Sequence, residues 1–382
     1  MAYGKKNHVR LDPLAYNICL IGESKIGKTT LIYNVCRKLA GDNGYIFAEI
    51  GQERGADAIE GINYVNCPVW DMPYDEDTNS LGFADLIDDI IANKSTEYKD
   101  LKVVVWDTYD QLINIAEAKS VALWNRANQD KKVASINAAW GGFGRGEKKA
   151  MEIMFEKMAE LRSVGVATIV IGHVKAKDVL DVVTGETYQT LTSDQQQNYF
   201  NALKKNLHIL GLAYIDREIV KEKSGKKDKD KKDIMVGKIV SESRKIKFRD
   251  DTYCVDSGGR FADITPEVPL DADAFIEAVN NAILSEQAKS NQSLEDAQKE
   301  QKKQVEKFES KVAENETQKK AENALNDTLK EIVSVMQANK SNNTFLSAVM
   351  KPCRDAGFEN PAKITDFDAA EKILAFIKDY KF

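Results

Sequence analysis

From Tyr16 to about Pro269, short apolar runs rich in β-branched residues alternate with stretches whose apolar positions recur at helical spacing. The runs are YNICLI, YIFAEI, KVVVWD and VATIVIGH, followed by HILGLAYIDREIV and IMVGKIVS. Apolar strands separated by amphipathic helices predict an α/β core with a mostly parallel sheet. The last two runs predict an antiparallel pair, joined by KEKSGKKDKDKK (Lys221 to Lys232), which is too polar to pack and reads as a solvated loop. Further on, DADAFIEAVNNAILSEQA predicts a helix, and Ser290 to Asn326 is dominated by Gln, Glu, Lys, Asn and Ala. Val305, Phe308 and Val312 sustain too short a heptad for a coiled coil, so a helical or semi-disordered spacer is expected. From Asp327 the helical period returns in TLKEIVSVM, TFLSAVMKPCRDAGF and ITDFDAAEKILAFIKDY, with Thr365 and Asp368 resembling a capping box. The pattern divides the chain into a core over 1–268, a helix and charged spacer over 269–326, and a small helical module over 327–382.

Composition narrows the classes. A net charge of −6 over 382 residues argues against indiscriminate nucleic-acid binding. It leaves one local cationic stretch, Lys221 to Arg249, with 12 Lys or Arg against 5 Asp or Glu. Cys19, Cys36, Cys67, Cys254 and Cys353 lie far apart with no C-x-x-C pair, so neither a zinc site nor a disulfide framework is expected. No apolar run reaches membrane-spanning length, and MAYGKKNHVRLD lacks the apolar stretch of a signal peptide. A cytoplasmic protein without membrane contact is expected.

The candidate chemistry begins at LIGESKIGKTTLIYNV, where G-x-x-x-x-G-K-T spans Gly22 to Thr29 between a predicted strand and a predicted helix. This spacing makes a phosphate cradle from Gly22, Glu23, Ser24, Lys25, Ile26, Gly27, Lys28, Thr29 and Thr30. Backbone N–H groups converge, Lys28 supplies positive charge and Thr29 a hydroxyl for Mg²⁺. A second metal-side carboxylate is needed, and Asp107 ends the apolar run KVVVWD where it emerges beside the cradle. A further carboxylate should align water. Glu53, just past Gly51, is the candidate, with Glu49 inside the preceding strand as the alternative.

These residues carry a resemblance. AEIGQERGADAI, VVVWDTYDQL, TIVIGHVK and KIKFRDDTYC follow one another as in the RecA superfamily, over roughly Tyr16 to Ile264. They resemble most the phage-encoded RecA-like ATPases of single-strand annealing and recombination. The resemblance implies an ATP- and Mg²⁺-dependent ATPase with a RecA-like P-loop core, acting on single-stranded DNA in the host cytoplasm. It implies that Glu53, followed by Asp57, is the catalytic glutamate. It also places His173 at the strand tip that normally carries an Asn-Gln sensor of the γ-phosphate. Two DNA loops are implied. One contains Trp140, Phe143 and Arg145 among glycines; the other runs from Lys175 to about Lys205. Lys247 and Arg249 match the pair that reaches a neighbour's nucleotide, which requires a ring or filament of identical chains. With some 15 residues before the first strand, no counterpart to the amino-terminal polymerisation element of full-length RecA is expected. Other readings are a nucleotide-switched interaction protein, or a helicase or helicase loader, whose helical module recruits a replication or recombination protein.

Overall fold

A computed structural model of the chain describes residues 7–181, 184–227, 233–249, 257–290 and 292–380, with side chains described except over 223–227 and 233–235. Residues 228–232 of the lysine-rich connection, together with Cys254, lie outside this set. The chain divides into two compact units, one of residues 1–91 and 98–305, the other of 92–97 and 306–382.

In the first unit the order is β1 (Ile18–Gly22), α1 (Lys28–Ala40), β2 (Tyr45–Ile50), β3 (Tyr64–Cys67), α2 (Phe83–Ala92), β4 (Val103–Asp107), α3 (Tyr109–Ala127) and α4 (Arg145–Ser163). There follow β5 (Ala167–Leu180), β6 (Thr187–Ser193), α5 (Gln197–Asn206), β7 (Ile209–Lys227), β8 (Asp233–Lys247), β9 (Gly258–Gly259), β10 (Glu267–Pro269) and α6 (Ala272–Ala288). The strands form one sheet in the order β10-β8-β7-β1-β5-β4-β2-β3, with β6 beside β5 and β9 beside β7. From β7 to β3 every neighbouring pair is parallel; β8 runs antiparallel to both of its neighbours, β7 and β10. The protein is therefore α/β with a mostly parallel central sheet, as the alternating pattern predicts.

Every residue of β1, β2 and β4 is buried, because helices cover both faces. On one face Ile32 and Val35 of α1 and Phe275, Val279 and Ile283 of α6 pack with Leu20, Phe47 and Val105. The alternate positions serve the other face, where Trp106 meets Phe83 at 5.0 Å between ring centroids. At the edge where β1 ends, Gly22 lies in register with His173 of β5 and Ala213 of β7, and both of those strands continue beyond it.

Two segments differ from the sequence expectation, and a third resolves an alternative. The loop expected over Lys175 to Lys205 is the antiparallel hairpin β5–β6 followed by α5. The solvated loop expected from Lys221 is strand as far as Lys227, paired with β8; Lys238 bonds Glu222 across the ladder at 3.0 Å, one opposite-charge pair that supports the pairing. The spacer, expected to be helical or semi-disordered, is helical from Leu294 onward, as the first part of the continuous helix α7 (Leu294–Ala338), which contains neither Gly nor Pro and is rich in Glu, Lys, Gln and Ala.

The second unit packs the later part of α7 with α8 (Asn343–Asp355) and α9 (Phe367–Asp379) around Ile332, Phe345, Val349, Ile364, Ile373 and Ile377. Asp366 caps α9, its side chain accepting from the Ala369 N–H at 2.8 Å, where the sequence pointed to Thr365. Residues 92–97 join this unit through the Ser95 N–H, which donates to Glu316 at 2.8 Å. No helix among the described residues is long and apolar enough to cross a membrane.

Candidate functional site

The turn from β1 into α1 requires its glycines for two reasons. A Cβ on Gly22 would lie 2.7 Å from the Ala213 carbonyl oxygen, so only glycine lets β1 and β7 approach here. Gly27, which caps α1, has φ of 108°, a left-handed conformation that side chains resist. Helix α1 begins at Lys28, so its unpaired N–H groups face the concavity of the loop. Lys28 is buried, and its Nζ donates to the carbonyls of Gly22 at 3.0 Å and Glu23 at 2.9 Å. Burial lowers its pKa, while Asp107, Asp110 and Glu53 oppose that shift.

The next residue, Thr29, donates its hydroxyl to Asp107 Oδ2 at 2.7 Å. Asp107 is buried at the end of β4, and burial pushes its pKa up to about 6 against the opposing hydrogen bond from Thr29. A hydroxyl and a carboxylate side by side, next to an anion cradle, form the hard oxygen donor set that suits Mg²⁺. The fit is close. A Cβ on Gly55 would lie 3.2 Å from Thr29 Oγ1 and 3.7 Å from Asp107 Oδ2, so the chain after β2 passes directly over the pair.

The two glutamates of this segment differ sharply. Glu49 is 1% exposed and stands opposite Asp107 in the β2–β4 ladder. One of its oxygens accepts from the Ala56 N–H at 2.6 Å, and the other has no partner among the described residues. Burial raises its pKa, with Asp107 adding to the shift. Glu53 lies beyond the turn at Gly51, half-buried, and its charge acts on Lys28, Asp107 and His173.

His173 completes this grouping at the tip of the parallel part of β5. Its Nδ1 lies 2.7 Å from Asp110 Oδ2, and that hydrogen bond raises the imidazole pKa, against burial and the Lys28 charge. The structure thus gathers the cradle, Thr29, Asp107, Glu53 and His173. It adds Asp110, which sequence reasoning missed; the available signal was its place in the first turn of the helix that follows Asp107. Beside Gly27 and Thr30, a cavity of about 500 Å³ is lined by Asn34, Lys38, Arg244 and Leu270 among others. Arg244 donates to the Ile26 carbonyl at 3.2 Å, so β8 touches the cradle within the same chain.

The remaining candidates lie on other elements. Trp140 to Gly144 all have positive φ, from 55° to 85°, in the turn before α4. Trp140 is anchored there, its Nε1 donating to Ser120 Oγ at 3.1 Å and its ring against Trp124. Phe143 is fully exposed, and Arg145 opens α4. Lys175 lies on the hairpin and donates to the Asp194 carbonyl at 2.7 Å. Lys247 lies over the Tyr214 ring, and Arg249 donates to the Ala262 carbonyl at 2.9 Å.

Comparison with known proteins adds the family. A family model described as "AAA domain" matches residues 14–248. No curated protein matches. Among solved structures, the KaiC-like protein PH0186 from the hyperthermophilic archaeon Pyrococcus horikoshii OT3 is similar at 13% identity and a TM-score of 0.31, over 61% of this chain and 78% of that one. With the phosphate cradle inside the matched span, the chain belongs to the AAA domain family of nucleotide-binding P-loop ATPases.

Proposed function

We propose that this protein hydrolyses ATP to control its grip on single-stranded DNA, and that it serves phage DNA annealing or recombination in the host cytoplasm. The observation that carries the reading is the origin of two long hairpins. Strands β5 and β7 flank the cradle strand β1 and run on past it, β5 from His173 to Leu180 and β7 from Ala213 to Lys227. A change at the nucleotide therefore has a direct mechanical route into both projections. Lys175 on the first, the cationic stretch on the second and the exposed ring of Phe143 offer phosphate contacts and a stacking face.

In this reading the cradle N–H groups and Lys28 hold the triphosphate, and Thr29 with Asp107 hold Mg²⁺. The ion, when bound, neutralises charge developing on the phosphate oxygens. Glu53 orients the attacking water and accepts its proton. His173 faces the terminal phosphate as a hydrogen-bond donor. Lys247 and Arg249 turn to the nucleotide of a neighbouring protomer in a homo-oligomer, and the helical unit recruits a replication or recombination protein. The test is a titration of labelled single-stranded DNA at low and moderate salt, with a non-hydrolysable ATP analogue, together with the ATPase rate with and without DNA. Tight, salt-sensitive, sequence-tolerant binding is expected. No binding at either salt, with an ATPase indifferent to DNA, would favour a nucleotide-switched interaction protein or a helicase loader.

A further inference from the structure

Asp110 is 9% exposed, and both of its carboxylate oxygens are engaged. Oδ2 accepts from the backbone N–H of His173 at 3.1 Å and pairs with the His173 Nδ1 at 2.7 Å. Oδ1 accepts from Gln195 Nε2 at 2.9 Å. His173 sits where β5 leaves the parallel sheet, and Gln195 follows Ser193, the last residue of β6, which pairs with Val174. One carboxylate therefore grips the hairpin at the foot of both arms. A second set of bonds closes the same ring. The Asp194 N–H donates to the His173 carbonyl at 3.2 Å, and Lys175 Nζ to the Asp194 carbonyl at 2.7 Å. The neighbouring residue of α3, Tyr109, donates to the Tyr199 carbonyl at 3.0 Å and so ties α5 to the same place.

The groups facing His173 are Asp110, Asp194, Lys28, Glu53 and Asp107, so its imidazole stands between this clamp and the phosphate site. Asp110, His173 and Asp194 offer atoms within 4.8 Å of one another, a spacing that also suits a cation. Hydrogen bonds link all three members: His173 Nδ1 is committed to Asp110, each Asp110 oxygen has a donor, and Gln195 Nε2 also donates to Asp194 Oδ1 at 3.3 Å.

We propose that Asp110 is a positioning residue that couples the nucleotide site to the β5–β6 hairpin, holding the His173 ring toward the nucleotide on one oxygen and the returning arm on the other. The proposal rests on the ATPase reading above. An amide at 110 keeps the size but removes the charge and sets an NH₂ against either the His173 N–H or Gln195 Nε2, so the native set of donors into one carboxylate cannot be kept.

The experiment uses the full chain, with hydrogen exchange of the β5 arm (Val174–Leu180) and the β6 arm (Thr187–Ser193) measured with and without a non-hydrolysable ATP analogue. In the wild type, nucleotide should slow exchange in both arms. Asp110→Asn should keep analogue affinity within about threefold, lower kcat by roughly tenfold at little-changed KM, and abolish the nucleotide-dependent difference in the arms. Gln195→Ala, a half-buried position outside the nucleotide site, should leave basal hydrolysis within about twofold and lose the difference in the β6 arm; it serves as well if Asp110→Asn does not fold. A nucleotide response that persists in the arms of Asp110→Asn or in the β6 arm of Gln195→Ala overturns the coupling, as does a wild type that hydrolyses ATP with unresponsive arms. A wild type that neither binds nor hydrolyses ATP overturns the ATPase reading itself, and the coupling with it.

Discussion

At the scale of single residues, the two glutamates after β2 make opposite predictions. Glu53 is half-buried among Lys28, Asp107 and His173, so Glu53→Gln should cut hydrolysis by roughly a hundredfold or more while ATP affinity changes only severalfold, as for a group acting in the transition state. Glu49 is buried with one oxygen unpartnered, and Glu49→Gln keeps an acceptor for the Ala56 N–H while removing a costly buried charge. It should leave stability within about 1 kcal/mol and much of the rate intact; a dead Glu49→Gln beside an active Glu53→Gln would reverse the assignment. A second prediction concerns pH. His208 Nδ1 accepts from the Asn17 N–H at 3.1 Å, and burial, aided by Arg260, lowers its pKa. Below the ordinary histidine pKa the unfolded chain then binds a proton that the folded chain refuses, so this group's contribution to stability is full above about pH 6.5 and is lost as pH falls below it. His208→Gln should remove that part of the slope, seen as a shrinking difference in unfolding midpoint between variant and wild type from pH 7 to 5. The cradle was legible because its spacing is local, and Asp107 because it ends a short apolar run. Asp110 was not, since a carboxylate early in a helix reads equally well as a favourable partner for the helix dipole.

At the scale of elements, legibility followed burial. Strands β1, β2 and β4, buried throughout, stand out as apolar runs, whereas the β5–β6 hairpin beyond His173 is exposed on much of both faces and shows no alternation to read. The same reasoning separates the two aromatic residues of the glycine-rich turn. Phe143 contributes nothing to the core, so Phe143→Ala should leave the unfolding midpoint unchanged and weaken single-stranded DNA binding by about 1–3 kcal/mol, the usual worth of one stacked base. Trp140 holds the turn through Ser120 and Trp124, so Trp140→Ala should cost stability first, by about 1–3 kcal/mol, and affect DNA only through the displaced turn. Equal losses of DNA affinity from both, with no change in stability from either, would mean that Trp140 leaves its anchor to stack.

At the scale of the whole molecule, the sequence pattern and the fold draw their boundaries differently. Composition changes near Pro269, yet α6 buries Phe275, Ala278, Val279, Ala282 and Ile283 against the same sheet face as α1. Farther along, Gln301 in α7 bonds the backbone of both Val9 and Leu11, at 2.7 and 2.9 Å. Neither attachment has a local sequence signal, because each pairs positions hundreds of residues apart. The joining of 92–97 to the later helices is hidden for the same reason. Truncation separates the two boundaries. A chain ending at Pro269 exposes the core beneath α6; at about 1.5–3 kcal/mol for each large apolar side chain, Phe275, Val279 and Ile283 alone approach the 5–15 kcal/mol that stabilises a typical domain. It should fail to fold. A chain ending at Val305 keeps α6 and Gln301 and removes Glu316, the partner of Ser95, so it should unfold cooperatively and bind ATP within about twofold of the full chain. Circular dichroism melts and nucleotide titration on the two chains decide the matter. Folded, ATP-binding protein ending at Pro269 would show α6 to be dispensable, and failure of the Val305 chain would mean that the helical unit is needed to fold the ATPase core.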